Sequence, residues 1–187
     1  MQAEPDRPMT TGDSLWADQN SRGEVHVGRT ALWFGAQTGI SFLNLNDQAV
    51  QVQLAQGSLA VHVRQINQGE AYEIDSPNLA FSILSPGDYR VDVDPNRNTT
   101  DVSVYSGQGT VTGGGQTWNI TPGQRATFAG ADQLSYNVGP ITNDTFYTWS
   151  RAREMREEHL ESLHYVSPDV TGYEDLDQYG SWHNDPT

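Results

Sequence analysis

No cysteine occurs among the 187 residues, and no lysine either: all ten basic residues are arginine. These absences remove disulfides, cysteine-ligated zinc, thiolate nucleophiles, Schiff-base lysines and the phosphate-binding lysine of a P-loop. They do not fix a compartment, because a cysteine-free chain suits an oxidising envelope as well as a reducing cytosol. Positive charge is scarce: ten arginines face 24 acidic residues, for a formal net charge of −14. Such a surface repels phosphate backbones and anionic lipids, which argues against nucleic acid or a membrane face as partner. No apolar run is long enough to span a membrane as a helix. The opening Met1-Gln-Ala-Glu-Pro-Asp6 lacks the apolar stretch of a signal peptide, as expected of a cytosolic product, a mature chain or an excised fragment.

What is present is alternation with period two. It runs through Val50–Leu54, Leu59–Val63, Leu79–Ile83, Tyr89–Val93 and Val102–Val104, and more weakly through Val25–Val27, Leu32–Phe34 and Ile40–Phe42. These are half-buried strands. Between them lie turn signals such as Asn46-Asp47, Gly57-Ser58, Ser85-Pro86-Gly87, Gly107, Gly113-Gly114-Gly115 and Pro122-Gly123. No helical pattern separates any two strands, so parallel strand–helix–strand units are excluded. One passage returns about fifty residues later. Val52, Leu54, Gly57 and Val61 recur as Val102, Val104, Gly107 and Val111, and Ile66, Gly69 and Ile74 recur as Ile120, Gly123 and Phe128. The expected fold is all-β, a twisted solenoid-like or sandwich-like stack of short strands in which the two copies follow equivalent paths.

After Gly139-Pro140 the period changes. Asn143 or Asp144 can cap an amphipathic helix over about 143–164. Its apolar stripe holds Phe146, Trp149, Ala152, Met155, Leu160 and Leu163, and Arg151, Glu154, Glu157, Glu158 and Glu161 form its polar side. The chain thus divides into a lead-in, 1–10, a β domain, 11–139, and a region 140–187 comprising the helix and a tail that mixes tyrosine and tryptophan with acid. A disordered acidic tail is poor in aromatics, so this one is expected to pack onto something.

Several short passages, in order, resemble the FecR domain family. Thr11-Gly-Asp-Ser-Leu-Trp-Ala-Asp18 followed by Ser21-Arg-Gly-Glu-Val25 is similar to the family's opening. Glu73-Ile-Asp-Ser-Pro-Asn-Leu-Ala80, Pro86-Gly-Asp-Tyr-Arg-Val91 and Thr121-Pro-Gly-Gln-Arg-Ala126 resemble its later strand corner, its Gly-Thr segment and its closing turn. The segment Tyr165–Trp182 resembles a Tyr/Trp-rich region that follows FecR domains in some proteobacterial envelope proteins. The resemblance implies a twisted β domain, periplasmic or extracellular, that binds a protein rather than turning over a substrate. The best-known members sense occupied iron transporters and signal to a sigma factor. This sequence has no anti-sigma helix bundle or transporter-signalling module, so the implication extends to fold and binding habit and not to iron uptake. Relatives usually carry one or two earlier strands, so an unpaired edge is expected near residues 12–34.

Other candidate sites yield to plainer readings. Asp92-Val-Asp94-Pro-Asn96 alternates oxygen ligands as a calcium loop does, but lacks that loop's glycine and final glutamate. His159 and His164 are five apart, about 140° around a helix, too far to share a metal as an i, i+4 pair would. No Gly-x-Ser-x-Gly elbow is present, and no pairing among the acids is singled out for glycoside hydrolysis. Asn98, Asn119 and Asn143 begin glycosylation tripeptides, which matter only in a host that uses them. Trp16, Trp33 and Trp118 are read as core residues, an exposed pair being the alternative sign of sugar stacking. The expected activity is therefore non-enzymatic, with no cofactor and no metal. The expected role is that of an envelope module recognising a protein or cell-wall polymer through a strand edge or the aromatic tail, Tyr165, Tyr173, Tyr179 and Trp182, together with Trp149. The alternative is a self-assembling structural protein whose open edge pairs with its own copies.

Overall fold

The computed structural model describes residues 7–167, 170, 172–173 and 175–183. In chain order the strands are β1 (Ser14–Ala17), β2 (Gly23–Val27), β3 (Thr30–Phe34), β4 (Thr38–Asn46), β5 (Ala49–Val63), β6 (Ala71–Asp75), β7 (Ala80–Ile83), β8 (Gly87–Asp94), β9 (Thr99–Val104), β10 (Gly109–Gly113), β11 (Gln116–Ile120), β12 (Gln124–Ala129) and β13 (Ser135–Pro140). Helix α1 (Thr145–Glu158), a 3-10 turn (Glu161–His164) and the short α2 (Asp175–Tyr179) follow. The strands form one curled sheet folded into two layers. One layer runs β1-β4-β5-β6-β7-β10-β11, and the other β2-β3-β5-β8-β9-β12-β13.

The layers share β5, and its sequence explains how. Val50, Val52 and Leu54 point into the core from the first layer, and Leu59, Val61 and Val63 do so from the second. The inward positions change from even to odd, which a continuous strand permits only if one residue is taken out of register. The pairing with β4 skips at that place, Gly39 opposing Gln56 while Ile40 opposes Leu54, so Ala55 is the extra residue of a bulge. Gly57 follows at φ 91° and re-aims the strand into the second layer. A Cβ on Gly57 would stand 2.2 Å from Thr38 Oγ1 and 2.6 Å from Thr38 Cα, so both the conformation and the space call for glycine.

Inward residues of both layers enclose a single core. Phe42, Leu54, Leu59, Phe81, Val91, Val102, Val104, Val111 and Phe128 are wholly inaccessible. Tyr89 lies among them, and its hydroxyl is satisfied by donating to Ser85 O at 2.7 Å and accepting from Gln108 N at 3.0 Å. Trp118, Phe128 and Tyr136 stack across β11, β12 and β13, with centroids 5.2–5.8 Å apart, and close one side of the fold. On the other side β1 pairs only with β4 and β2 only with β3, so each has an outer edge without a partner strand among the described residues.

The two copies of the repeat use one device in opposite senses. At Gly57 the chain passes from the first layer to the second, and around Gly107, at φ 85°, it passes from β9 in the second layer to β10 in the first. In each copy the chain then returns and pairs with the strand that began it, β6 beside β5 and β12 beside β9. The inserted β10–β11 hairpin adds one reversal, so β6 is parallel to β5 whereas β12 is antiparallel to β9. The copies share a path between layers rather than stacking as coils, which corrects the solenoid-like expectation in favour of the sandwich-like one. The β5–β6 pair is parallel without a crossover helix, because the second half of β5 serves as the crossover.

Gly57→Ala is expected to lower the stability of the domain by about 2 kcal/mol or more, from the strained φ and the clash with Thr38. Denaturant titration checks this, and Gly115→Ala, where a Cβ meets open space at φ 74°, should cost less.

Candidate functional site: a charged clasp beneath the helix

The outer face of the second layer is polar and ordered in rows. One row runs His26, Ala31, His62, Asp88 across β2, β3, β5 and β8, and the next runs Glu24, Trp33, Ala60, Arg90, Ser103, Arg125. Ala31 and Ala60 are the small residues in these rows and leave a trough. Phe146 of α1 enters it against Ala31, Trp33 and Ala60, with Trp149 packed alongside. This cover is why all five residues of β3 are buried, although β3 lies next to the edge.

The helix is fixed at its start by Arg90. Asp144 caps α1, accepting from Tyr147 N at 2.8 Å. Both of its carboxylate oxygens also accept from the Arg90 guanidinium, each at 2.8 Å, in a bidentate pair. Arg90 bonds Asp92 as well, and its Cζ lies 5.2 Å from the Phe146 ring centroid. Tyr147 stacks on Tyr105 with centroids 4.7 Å apart.

The rest of the contact is ionic. Glu154 and Glu157 are only 3% and 4% exposed, and both point at the sheet. Glu154 lies 3.2 Å from His62 Nδ1, which is 2.6 Å from Asp88, while Arg151 bonds Glu154 from the side. Glu157 Oε2 accepts from Arg64 at 2.7 Å, and its Oε1 lies 3.5 Å from His26 Nε2. His26 Nε2 is in turn 2.8 Å from Glu24, which accepts from Arg153 Nε at 2.6 Å. The same set therefore occurs twice: a strand carboxylate, a strand histidine, a helix glutamate and a helix arginine. Burial pushes all four carboxyls up, but the outcome differs by element. Hydrogen bonds from His26 and the Glu157 carboxyl, with the Arg153 charge, hold Glu24 at about 2, and His62, Ser106 and Arg151 keep Asp88 low. For Glu154 and Glu157 burial prevails, reinforced by the charges of Asp88 and Glu24 respectively.

This arrangement corrects the expected helix orientation. Phe146 is buried and Trp149 half-buried as the apolar stripe requires, yet Met155 is 52% exposed and Ala152 faces outward, while Glu154 and Glu157 of the expected polar side point inward. The physical reason lies in the sheet, whose outer face offers imidazole and guanidinium groups beyond the two alanines. The helix is also shorter than 143–164, ending at Glu158, and Leu160 begins the 3-10 turn half-buried.

The aromatic residues expected to bind a partner fall into two groups. Trp149 packs on the β domain, with Arg22 5.2 Å over its ring, and Tyr173 is 3% exposed beside Arg64. Tyr165, Tyr179 and Trp182 are exposed. Tyr165 stacks on Trp182 at 4.6 Å, and Trp182 Nε1 donates to Asp177 at 2.6 Å. Asp177 also accepts from Ser162 N, so α2 folds back on the 3-10 turn. Asp94 accepts from Asn96 N and Arg97 N within its own turn, which uses the lone pairs a calcium loop would need. Trp33 is a buried residue beneath the helix, whereas Trp16, at 57% exposure, is not a core residue as expected. His26, His62, Arg64 and Arg90 went unmarked in the sequence because each alternates with core valines or tyrosine and reads as solvent-facing.

No family model matches the chain, and no curated protein matches it. Among solved structures it is similar to two crystal structures of a candidate anti-sigma factor from Parabacteroides distasonis, each with a TM-score of 0.62 at 11% identity over 74% of this chain. The match covers 64% of that protein's chain. At this identity the likeness is one of fold.

Asp144 carries a testable consequence. The Arg90 hydrogen bonds, the largest influence, hold its carboxyl below the ordinary range despite partial burial. Its contribution is therefore full above the unfolded carboxylate pKa of about 4 and is lost as pH falls through the lowered folded value. Asp144→Asn keeps a capping oxygen but loses the charged bidentate pair with Arg90, and should cost about 1 kcal/mol at neutral pH. The gap between variant and parent should narrow as pH falls to 3, as measured by melting at stepped pH. Phe146→Ala should cost about 3 kcal/mol of helix docking, seen as faster amide exchange across 145–158.

Proposed function

We propose that this chain is a non-enzymatic signalling or binding module of the bacterial envelope, which recognises a protein or cell-wall partner through its β surface. The observation that carries the reading is the outer edge of β1, without a partner strand among the described residues and flanked by an exposed tryptophan. Trp16 lies across Gly39, where a Cβ would come within 3.3 Å of its ring, so the indole rests against the bare glycine while more than half of it stays exposed. A strand edge beside such an anchor is suited to a partner strand that adds backbone hydrogen bonds and buries one aromatic side chain. The fold's likeness to a candidate anti-sigma factor supports a regulatory role over a catalytic one. The resemblance of the opening and closing motifs to FecR domains supports placement outside the cytoplasm.

A photo-crosslinking residue at position 16, used with an envelope fraction, should yield a discrete adduct that the same residue at Leu84, exposed on a distant turn, does not yield. Trp16→Glu should weaken capture by at least about ten-fold, the loss of one aromatic anchor, without lowering the melting temperature. An adduct with a second copy of the chain, accompanied by a mass that falls on dilution, would favour self-assembly instead. Turnover of wall glycans or peptides by the purified chain would overturn the reading.

A further inference from the structure

Two carboxylates face each other across an imidazole in the half of the clasp formed by Glu24, His26 and Glu157. The far oxygen of each is already taken, that of Glu24 by Arg153 and that of Glu157 by Arg64. The near oxygens and His26 Nε2 lie within 4.8 Å of one another. Glu157 Oε1 is buried, has no hydrogen-bond donor among the described residues unless a proton is shared with the Glu24 carboxyl, and is turned toward this space. Leaving a buried carboxylate oxygen unsatisfied is costly. The arrangement makes sense if something of positive charge sits between the three atoms.

The charge count points the same way. Across the two halves of the clasp, the carboxylates of Glu24, Asp88, Glu154 and Glu157 meet three guanidinium groups among the described residues, those of Arg64, Arg151 and Arg153. Guanidinium charge thus falls short of carboxylate charge on this face, and a bound cation would make up the difference. We propose that Glu24 Oε1, His26 Nε2 and Glu157 Oε1 bind one divalent first-row transition-metal ion, zinc or manganese, which fastens α1 to the outer face of the β domain.

The geometry is compatible. Metal–ligand bonds of about 2.0–2.2 Å at angles between octahedral and tetrahedral separate neighbouring donors by about 2.8–3.5 Å. The observed separations from His26 Nε2 are 2.8 Å to Glu24 and 3.5 Å to Glu157. One nitrogen and two oxygen donors suit zinc or manganese, and would leave calcium short of oxygen ligands. Arg153 and Arg64 act as outer partners that orient the carboxylates, as hydrogen-bonded neighbours do around metal ligands generally. Access is available from the side of His26, which lines an open cleft of about 570 Å³ together with Arg29, Gln65 and Tyr72. The related trio His62, Glu154 and Glu158 is the weaker candidate, because Glu158 is exposed and Asp88 already occupies His62 Nδ1.

The test uses the full chain without an affinity tag. Calorimetric titration with zinc, manganese and calcium chlorides should give one site for zinc or manganese, none for calcium, and a rise in melting temperature with the bound ion. In nitrogen-15 spectra of the parent protein, zinc should move the His26 Nε2 resonance more than any other imidazole nitrogen. That measurement does not depend on any variant folding. His26→Gln and Glu157→Gln should each weaken binding by at least about ten-fold, while His62→Gln should leave it unchanged. Failure to bind zinc or manganese at millimolar concentration would overturn the proposal. So would binding that survives His26→Gln, or that is lost in His62→Gln. None of these outcomes bears on the Trp16 edge, so the two readings fail separately.

Discussion

The fold depends on one strand serving two sheets. Because β5 carries its apolar residues on even positions before the bulge at Ala55 and on odd positions after Gly57, it presents a core-facing edge to each layer. Everything else is arranged around that strand. It pairs with β3, β4, β6 and β8, more partners than any other strand has. Without the bulge, Leu59, Val61 and Val63 would turn outward and His62 inward, and neither the core nor the clasp could form.

The clasp is an ionic solution to a docking problem that most amphipathic helices solve with apolar contact. Only the first turn of α1 is seated by an aromatic side chain, and the remainder is held by carboxylates inserted between histidines and arginines. Buried ion pairs add little net stability compared with apolar packing, because desolvation offsets much of their attraction. They do impose register. A helix whose Glu154 and Glu157 must meet His62 and Arg64 cannot slide or rotate on the sheet without leaving a buried charge unpaired.

Much of this was legible in the sequence. Alternation located most strands, the break after Gly139-Pro140 located the helix, and Asp144 was among the two residues expected to cap it. Among the described residues, β1 and β2, which lie in the stretch 12–34 where an open edge was expected, each have one partner strand. The bulge was not legible, because a parity change between Leu54 and Leu59 looks the same as two strands separated by a glycine turn. The orientation of α1 was not legible for a related reason. Its apolar stripe and its acidic stripe were both visible, but which one faces the sheet depends on what the sheet's outer face offers. Period two says only that His26, His62 and Arg90 point away from the core, not that a helix covers them. The Glu24–His26–Glu157 grouping joins residues more than 130 positions apart and has no local pattern.

The position of the helix in chain order sets an order of assembly. Every strand of the β domain precedes α1, so during synthesis the two layers can close while the helix is still emerging, and the outer face of the second layer waits uncovered. In that interval it displays a pattern of mixed charge, Glu24, Asp88 and Asp92 among Arg64, Arg90, His26 and His62, around a shallow apolar trough. The arriving helix balances Arg151, Arg153 and Arg156 against Glu154, Glu157 and Glu158, so its capture by its own body is selected by the matching of individual charges rather than by net attraction. The contact so formed joins the first hairpin to the helix, Glu24 to Arg153, and adds a long-range link of the kind whose formation is slow.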